Sequence, residues 1–390
     1  MAAARPLPPT WPTMVLPLAA LVAAMLLCQA VLDPRRRPSL HCFVRNALIL
    51  YTLLAYLYFG SPAVLAAGLA LTLAVEVAIE AGFQAGFVLD PPENKIKNCY
   101  SWMDIVMKSS KDMGHAQDLT EGLYACDAFK PYAEAQRDQR AWILDQGKVG
   151  PGVRVLDVGS GNCNLLEMVK ARGGIGKGIT LSSEQRAYCR RRGMDVQVLN
   201  FWDLRSSDLV GKFDVVVLNG PLEHFVQQYE TGARKEAKYR EVFEILRACL
   251  DPASAIGRVV ITCIHMAKPF SQYSLGDLLQ VYIYERSYGG NLPVGRDGLT
   301  RNARPWFDVV RNEDHTMDYY IASRYWWTYF NKANWEPLVF LKCLLLYPVY
   351  LLNDPYILHK LLHQVFGSWT WQFTPPPPNS HQWIVLQAKK

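Results

Sequence analysis

The hydrophobic positions divide the chain into an apolar N-terminal region and a longer region of mixed pattern. Residues 13–32 and residues 46–75 contain no charged side chain. Each stretch reaches the roughly 20 residues that a transmembrane helix needs. The second stretch is interrupted at Gly60-Ser61-Pro62. It therefore predicts either one long tilted helix or two short segments, at about 43–59 and 62–79.

We predict that residues 1–90 form a membrane anchor, with helices at about 13–32 and 43–80. Residues 13–32 lack the cleavage site of a secretory signal, and a buried apolar hairpin is the other interpretation of this region. The arginines between the two stretches indicate that the loop after the first helix is cytoplasmic. We therefore expect an integral membrane protein whose remaining residues face the cytoplasm, with a second stretch that crosses twice or enters and returns.

Beyond a polar, proline-rich linker near residues 90–95, strand and helix patterns alternate. Residues 153–158 read as a short buried strand that leads into Gly159-Ser160-Gly161, and residues 164–172 have a helical apolar pattern. Further strands are predicted near 178–182, 196–203 and 213–219. The alternation predicts an α/β fold with a doubly wound, mostly parallel sheet. Ligands of such sheets bind at the carboxyl ends of the strands.

The composition excludes several classes of protein. Of the 390 residues, 50% are hydrophobic and 19% are charged, which is too apolar for a disordered or coiled-coil protein. The net charge of +6 is too small and too scattered to indicate nucleic-acid binding. Nine cysteines without C-x-x-C spacing are typical of reduced, packed thiols and predict no metal site. His359 and His363 lack the glutamate of a zinc-protease motif.

The glycine turn indicates which nucleotide-like ligand the sheet binds. Asp157-Val158-Gly159-Ser160-Gly161 has no third spaced glycine, which favours S-adenosylmethionine over a dinucleotide. The later glycine-rich stretch is not a P-loop, because Lys177 is followed by Gly178 rather than by serine or threonine.

Five segments, in order, resemble the cyclopropane-fatty-acid synthase family of S-adenosylmethionine-dependent methyltransferases, which includes the mycolic acid cyclopropane synthases. The string G-I-T-L-S-S-E-Q at 178–185 is the most specific of them. The resemblance covers about residues 110–270. It implies a class I methyltransferase domain over residues 91–390, with 270–375 as a helical, aromatic-rich insertion that faces substrate or membrane. The segments are 123–129, 155–161, 178–185, 220–225 and 257–264.

The resemblance also implies where the cofactor lies. The glycines of the turn would contact its methionine part, and the hydroxyl and amide groups after the second strand would contact its ribose. An aromatic–acid pair after the third strand would border the adenine, and a tyrosine–alanine pair would close over the cofactor. The implied cofactor-binding residues are Tyr124, Ala125, Asp157, Gly159, Gly161, Thr180, Leu181, Gln185, Trp202, Asp203 and Asn219.

Family members transfer a methyl group to an alkene carbon of a lipid acyl chain, and a bound bicarbonate is the implied base for the proton that the carbocation then loses. The resemblance implies that bicarbonate is held by a Cys, a Glu, a His, an Ile backbone group and a Tyr. Thr262 stands at the histidine position, Cys163 replaces a glycine of the cofactor motif, and the tyrosine has no clear counterpart. The product would therefore be either a ring or a methyl branch. The implied catalytic residues are Glu223, Cys126, His224, Thr262 and Ile264.

Two other functions fit the same motifs. Plant alkaloid N-methyltransferases share the pattern and rely on the pair that is Glu223-His224 here, which would suit a lipid headgroup or an apolar amine. A degenerate domain kept as a membrane interaction module is the non-enzymatic alternative, but the intact Asp157, Gly159 and Gln185 argue against it. Taken singly, Glu223 is also explained as an acid at a helix N-terminus and Cys126 as a packed thiol.

Aromatic residues cluster at 319–335. They predict either the wall of an acyl pocket, where π faces stabilise a cation, or ordinary core packing or an interfacial belt. Residues 338–352 are apolar but interrupted by Lys342 and Pro348. This pattern predicts a segment that lies on a bilayer. We thus expect a membrane lipid as substrate and no nucleic acid as partner.

Overall fold

The structure, a computed structural model, contains one mixed sheet built from strands in the predicted regions. It describes residues 40–84, 92–110, 118–227, 230, 232–274, 276–277, 289–334, 336–346, 372–375 and 377–390. The strands are β1 (Arg154–Val158), β2 (Ile175–Thr180), β3 (Val196–Val198), β4 (Val215–Asn219), β5 (Arg258–Met266), β6 (Phe307–Asp314) and β7 (Asn379–Ala388).

The strand order is β3-β2-β1-β4-β5-β7-β6. Strands β1 to β5 pair in parallel, whereas β7 is antiparallel to both β5 and β6. The predicted α/β fold with a mostly parallel sheet is therefore confirmed. Residues 307–314 of the predicted insertion belong to this sheet, as strand β6.

Helices surround the sheet. They are α1 (Leu40–Phe59), α2 (Pro62–Gln84), α3 (Pro92–Ser109), α4 (Tyr132–Gln146), α5 (Asn164–Ala171), α6 (Ser183–Arg191), α7 (Gly232–Cys249), α8 (Thr300–Ala303), α9 (Thr316–Asn334) and α10 (Pro337–Leu346). Short 3₁₀ turns lie at Phe201–Ser206, Leu222–His224 and Phe270–Gln272.

The central strands are apolar on both faces because each face is covered. Successive side chains of a strand point to opposite faces. In β1, Leu156 packs in the cluster that contains Phe243 of α7, whereas Val155 packs in the cluster that contains Ile143 of α4 and Val169 of α5. This two-sided burial explains why residues 153–158 read as a buried strand.

The apolar region at 43–80 forms two helices rather than one. They separate at Gly60, whose φ of 61° is a conformation that favours glycine. The helices pack closely where a Cβ on Gly68 would come within 2.2 Å of Thr52 Oγ1. The two-segment alternative is therefore correct, and α1 and α2 form a hairpin.

Membrane crossing is a separate question from helix formation. No helix among the described residues is both long enough and apolar enough to span a bilayer. The transmembrane prediction for residues 43–80 thus finds no support in the structure. The predicted helix at 13–32 lies outside the described residues, as do His359 and His363.

A layer of helices covers the carboxyl end of β5. Helix α3 packs against α9 and α10. Met103 of α3, Tyr319 and Trp326 of α9 and Val339 of α10 share one apolar cluster with Ile264 of β5. The layer therefore stands over the edge of the sheet at which a ligand is expected.

Candidate functional site

A cavity of about 620 Å³ lies at the carboxyl ends of the parallel strands. Its floor consists of the residues that directly follow β1, β2, β3 and β4. Helix α3, the segment 118–121, Tyr319 and His381 form the opposite wall. The cavity therefore has one half built by the sheet and another half built by segments that fold over it.

The glycine turn after β1 forms the centre of the sheet-built half. Gly159 has a φ of 78°, and a Cβ at this position would lie 2.9 Å from Pro221 Cβ. Gly161 has a φ of 50°. Both conformations favour glycine. The turn therefore keeps bare backbone at the cavity surface, as close approach of a ligand requires.

Cys163 occupies the position of this turn at which the resemblance implies a further glycine, and its backbone conformation is that of a glycine. Its φ is 60°, in the left-handed region. Non-glycine residues adopt this region at a steric cost of roughly 1–2 kcal/mol. Cys163 is buried, and α5 begins directly after it. The turn therefore keeps the backbone course of a glycine despite the substitution.

Polar groups after β2 provide the next part of the lining. Thr180 Oγ1 donates a hydrogen bond to Gln185 Oε1 over 2.7 Å. Ser182 caps α6 by accepting a hydrogen bond from the Gln185 backbone nitrogen over 3.2 Å. Thr180, Leu181 and Gln185 all line the cavity. The structure thus brings together the three residues predicted to contact a ribose.

An aromatic group closes the far end of this half. Phe201 and Phe225 stack with ring centroids 4.2 Å apart, and Lys238 Nζ lies 5.5 Å from the centre of the Trp202 ring. Trp202 lines the cavity. Aromatic faces can cover a purine. Asp203, its predicted partner, is exposed and lies outside the cavity lining, so its contact with the adenine stays a prediction.

Three other predicted cofactor residues also lie outside the lining. Asp157 is buried within β1, and burial, followed by the nearby Asp118 charge, raises its pKa to about 7. The backbone nitrogens of Tyr124 and Ala125 donate to Asp318 Oδ1 over 2.6 and 2.9 Å. Tyr124 is buried and Ala125 is exposed. Neither closes over the cavity; residues 118–121 do so instead.

Glu223 lies in the other half of the cavity, in the turn after β4. Its Oε1 accepts a hydrogen bond from the Ile264 backbone nitrogen over 2.6 Å. The side chain is buried, and burial holds its pKa well above the usual range. The predicted functional glutamate therefore faces the cavity as a carboxyl group that holds its proton more tightly than an exposed glutamate does.

His224 also lines the cavity, but both of its ring nitrogens have partners. Nδ1 lies 2.8 Å from the Gly289 carbonyl oxygen, and Nε2 lies 2.8 Å from the Tyr100 hydroxyl. A carbonyl oxygen only accepts, so Nδ1 carries the proton and Nε2 accepts from Tyr100. His224 therefore joins α3 to the cavity wall.

The groups that the resemblance assigns to bicarbonate do not come together as a binding site. Cys126 is exposed, at a φ of 68°, and lies outside the cavity lining. Thr262 Oγ1 donates to Asn219 Oδ1 over 2.8 Å. The Ile264 backbone nitrogen already donates to Glu223. The donors expected to hold bicarbonate are thus engaged elsewhere or turned away.

Sequence reasoning missed a buried group beside Glu223. Glu121, Tyr319 and His381 all line the cavity. Glu121 Oε1 lies 3.3 Å from His381 Nε2. The Tyr319 ring lies 4.7 Å from the His381 ring, measured between centroids. The only sequence signal was the aromatic cluster at 319–335. Tyr319 fits its pocket interpretation, whereas Trp326 donates to the Tyr132 hydroxyl over 2.8 Å as part of the core.

Burial sets the protonation states of Glu121, His381 and Tyr319. It raises the pKa of Glu121 to about 7 and lowers that of His381 well below its usual range. It also holds the Tyr319 pKa well above its usual range. At neutral pH the histidine and the tyrosine are therefore neutral, and Glu121 lies at the midpoint of its titration. A carboxyl group in this state can accept or release a proton.

The residues of the sheet-built half fit S-adenosylmethionine. The turn at Gly159 and Gly161 presents bare backbone to the cavity, and the hydroxyl, amide and indole groups at or after the ends of β2 and β3 match a ribose and a purine. The carboxyl groups of Asp118 and Glu121 complement the positive charge of a sulfonium.

Comparisons with known proteins agree with this geometry. The family model described as mycolic acid cyclopropane synthetase matches residues 115–352. The structure of the cyclopropane synthase MmaA2 from Mycobacterium tuberculosis superposes with a TM-score of 0.60, at 15% identity, over 77% of this chain and 99% of that chain. The mycolic acid cyclopropane synthase CmaA1 complexed with SAH and CTAB gives a TM-score of 0.59, at 17% identity, over 77% and 99%.

The same fold occurs with other substrates. A putative sarcosine dimethylglycine methyltransferase from Galdieria sulphuraria superposes with a TM-score of 0.50, at 12% identity, over 73% of this chain and 97% of that chain. At such identities the likeness concerns the fold alone. No curated protein matches the chain.

Proposed function

Because the chain belongs to the mycolic acid cyclopropane synthetase family and is thus an S-adenosylmethionine-dependent methyltransferase, we propose that it methylates the double bond of an unsaturated lipid acyl chain. When bound, S-adenosylmethionine supplies an electrophilic methyl group. The product is a cyclopropane or a methyl branch. In either case the chain's own residues must bind the alkene in an apolar environment and accept the proton that leaves.

One observation carries this proposal: buried carboxyl groups and an apolar helical layer meet at the same end of the cavity. Met107 of α3 and Tyr319 of α9 line that end together with Glu121 and Glu223. Apolar walls suit an acyl chain and exclude water. Carboxyl groups and the Tyr319 ring face can stabilise positive charge that develops on carbon.

The environment of His224 favours an alkene over an amine as the acceptor. N-methylation through the Glu223-His224 pair needs a free ring nitrogen that removes the ammonium proton. Here Nε2 accepts from Tyr100 and Nδ1 donates to a backbone carbonyl. Neither nitrogen is available for that step in this arrangement. The experiment nevertheless distinguishes N-methylation as an alternative outcome.

Lipid mass spectrometry of cells that express the protein tests this function. The cells are fed methionine with a deuterated methyl group, and Glu223→Gln is compared with Glu134→Gln, a matched change at an exposed site. We expect labelled acyl chains with the protein and with Glu134→Gln, and a loss on the order of 100-fold with Glu223→Gln. A ring retains two deuterium atoms of the methyl group, because the third leaves as the proton, whereas a branch retains three. Label only in headgroups or amines would indicate N-methylation instead.

We also propose that the enzyme works at a membrane surface, with its catalytic residues on the cytoplasmic side. Support comes from the α1–α2 hairpin, where Leu57 and Leu73 are 76% and 65% exposed. Large exposed apolar side chains of this kind favour a lipid interface. Flotation with phospholipid vesicles tests the idea. Leu57→Asp with Leu73→Asp should release the protein from the vesicles, and unchanged flotation would contradict a role for the hairpin.

A further inference from the structure

We propose that the Glu121 carboxylate is the proton acceptor of the methylation reaction, in the place that the family resemblance assigns to bicarbonate. This inference rests on the proposed acyl-chain function. It concerns a residue outside the motifs that identify the family. Its basis is the placement of one side chain in the cavity and of the groups around it.

Glu121 lies where its carboxyl group can contact a ligand in the cavity. The residue is only 4% exposed, yet it lines the cavity. No described residue forms a hydrogen bond with its Oε1. A buried carboxylate oxygen without a partner is costly, by roughly 1–3 kcal/mol or more. Such an atom is expected where a substrate or a transferred proton satisfies it.

His381 positions this carboxylate. Its Nδ1 accepts a hydrogen bond from Trp383 Nε1 over 3.1 Å, so the proton of the neutral ring is on Nε2. That N–H lies 3.3 Å from Glu121 Oε1, without the alignment of a full hydrogen bond. The antiparallel pairing of β7 with β5 sets His381 opposite Ile264, whose nitrogen holds Glu223. One pair of strands therefore orients both carboxyl groups.

Bicarbonate does not fit this arrangement. The Thr262 hydroxyl and the Ile264 nitrogen already donate to Asn219 and Glu223, and Cys126 is exposed outside the cavity. A further anion would also lie in a buried site beside the Glu121 carboxylate, where like charges repel strongly. Glu121 supplies a carboxylate within the same cavity and makes the external anion unnecessary.

The proton transfer is then simple. For a ring, a C–H bond of the transferred methyl group breaks and its electron pair closes the bond to the cationic carbon. For a branch, a C–H bond on the carbon next to the cationic carbon breaks and its electron pair forms a double bond. In both cases the proton goes to Glu121 Oε1. Glu223 does not compete for this role, because its Oε1 already accepts a hydrogen bond from the Ile264 backbone nitrogen over 2.6 Å.

The first test measures bicarbonate binding and needs no lipid substrate. ¹³C NMR of labelled bicarbonate is recorded with the full-length protein in the presence of S-adenosylhomocysteine. We expect no saturable binding to the wild type. Saturable binding that Glu121→Gln abolishes would overturn the proposal. Infrared difference spectra of wild type against Glu121→Gln should show a carboxyl band that titrates; its absence would also contradict the proposal.

The second test measures methyl transfer. Glu121→Gln should lower the rate on the order of 100-fold or more while S-adenosylhomocysteine affinity stays within about threefold. Formate should restore part of the rate of Glu121→Ala, and removal of dissolved carbon dioxide should leave the wild-type rate unchanged. A wild type that requires bicarbonate, or a Glu121→Ala variant that formate does not restore, would exclude Glu121 as the base.

The results of these tests distinguish a failure of the Glu121 proposal from a failure of the proposed acyl-chain function. If the wild type methylates only amines, the acyl-chain function is wrong, whereas bicarbonate binding and the infrared titration still decide the state of Glu121. If Glu121→Ala does not fold, as thermal unfolding would reveal, Glu121→Gln provides the decisive rate because it preserves the shape of the side chain. His381→Gln should shift the infrared titration of Glu121, which a purely structural histidine would not do.

Discussion

The two halves of the cavity are assembled in different ways. The cofactor half uses residues at or just beyond the ends of consecutive parallel strands: Gly159 after β1, Thr180 at the end of β2 and Asn200 after β3. The other half joins Glu121, Glu223, Tyr319 and His381, which are far apart in the sequence. Local motifs therefore predict cofactor binding well, and they predict the reacting half poorly.

This contrast has a physical reason. Carboxyl ends of parallel strands meet at one edge of the sheet, so a motif after each strand reaches the same ligand. Residues that cover this edge come from elements whose position depends on tertiary packing. Four predictions test how far the two halves are independent, in order of decreasing effect.

The largest effect should come from the glycine turn. Gly159→Ala places a Cβ 2.9 Å from Pro221 Cβ at a φ of 78°. We expect S-adenosylhomocysteine affinity to fall at least about 100-fold, from strain and clash of a few kcal/mol. Titration calorimetry measures the affinity. Gly211→Ala has a similar φ of 71° with open space around it, and it should bind normally. Equal losses in both variants would mean that general destabilisation is responsible.

The second prediction concerns the charge of Glu121. Burial raises its pKa from 4.5 to about 7. The transfer rate should thus rise about tenfold from pH 6 to pH 8 as the carboxylate forms. Glu121→Gln should remove this dependence, because an amide does not titrate. The titratable groups that face Glu121 are His381, His315, Glu223, Tyr319 and Cys263. A pH dependence that persists in Glu121→Gln would assign it to one of these groups.

Stability should change in the opposite direction to activity. A raised pKa means that ionised Glu121 destabilises the folded protein above about pH 7 and costs nothing below the unfolded pKa of 4.5. A shift of this size corresponds to about 3 kcal/mol. Chemical denaturation at pH 8 should thus show Glu121→Gln to be more stable than the wild type, with the difference vanishing near pH 4. Equal stability at pH 8 would indicate that another group neutralises the carboxylate.

The smallest effect should come from Cys126. The thiol is exposed and outside the cavity, so Cys126→Ser should keep the methyl-transfer rate within about twofold. The family resemblance predicts a much larger loss, because it assigns this cysteine to bicarbonate. Steady-state rates distinguish the two expectations. A 100-fold loss would mean that residues 124–129 enter the cavity when substrate binds.

The sequence predicted the central strands and the cavity floor better than it predicted the individual site residues. The apolar runs and the glycine turn predicted β1, β4 and the floor of the cavity, because burial on both faces leaves a clear pattern. The prediction of two helices near 43–59 and 62–79 came from one glycine–proline break. Cys126, Tyr124 and Asp203 were predicted from motif matches alone, and the structure turns them away from the cavity or leaves them outside it.

The sequence by itself determined the alternation of strands and helices, the bare turn at Gly159 and Gly161, and the presence of Glu223 after β4. Each of these depends on neighbouring residues and on which faces are buried. Only the tertiary structure decided that Glu121 and His381 lie together. Their proximity depends on the insertion of β7 between β5 and β6, an antiparallel pairing across more than a hundred residues of chain. No local pattern encodes such a register, because it follows from the packing of the whole sheet edge.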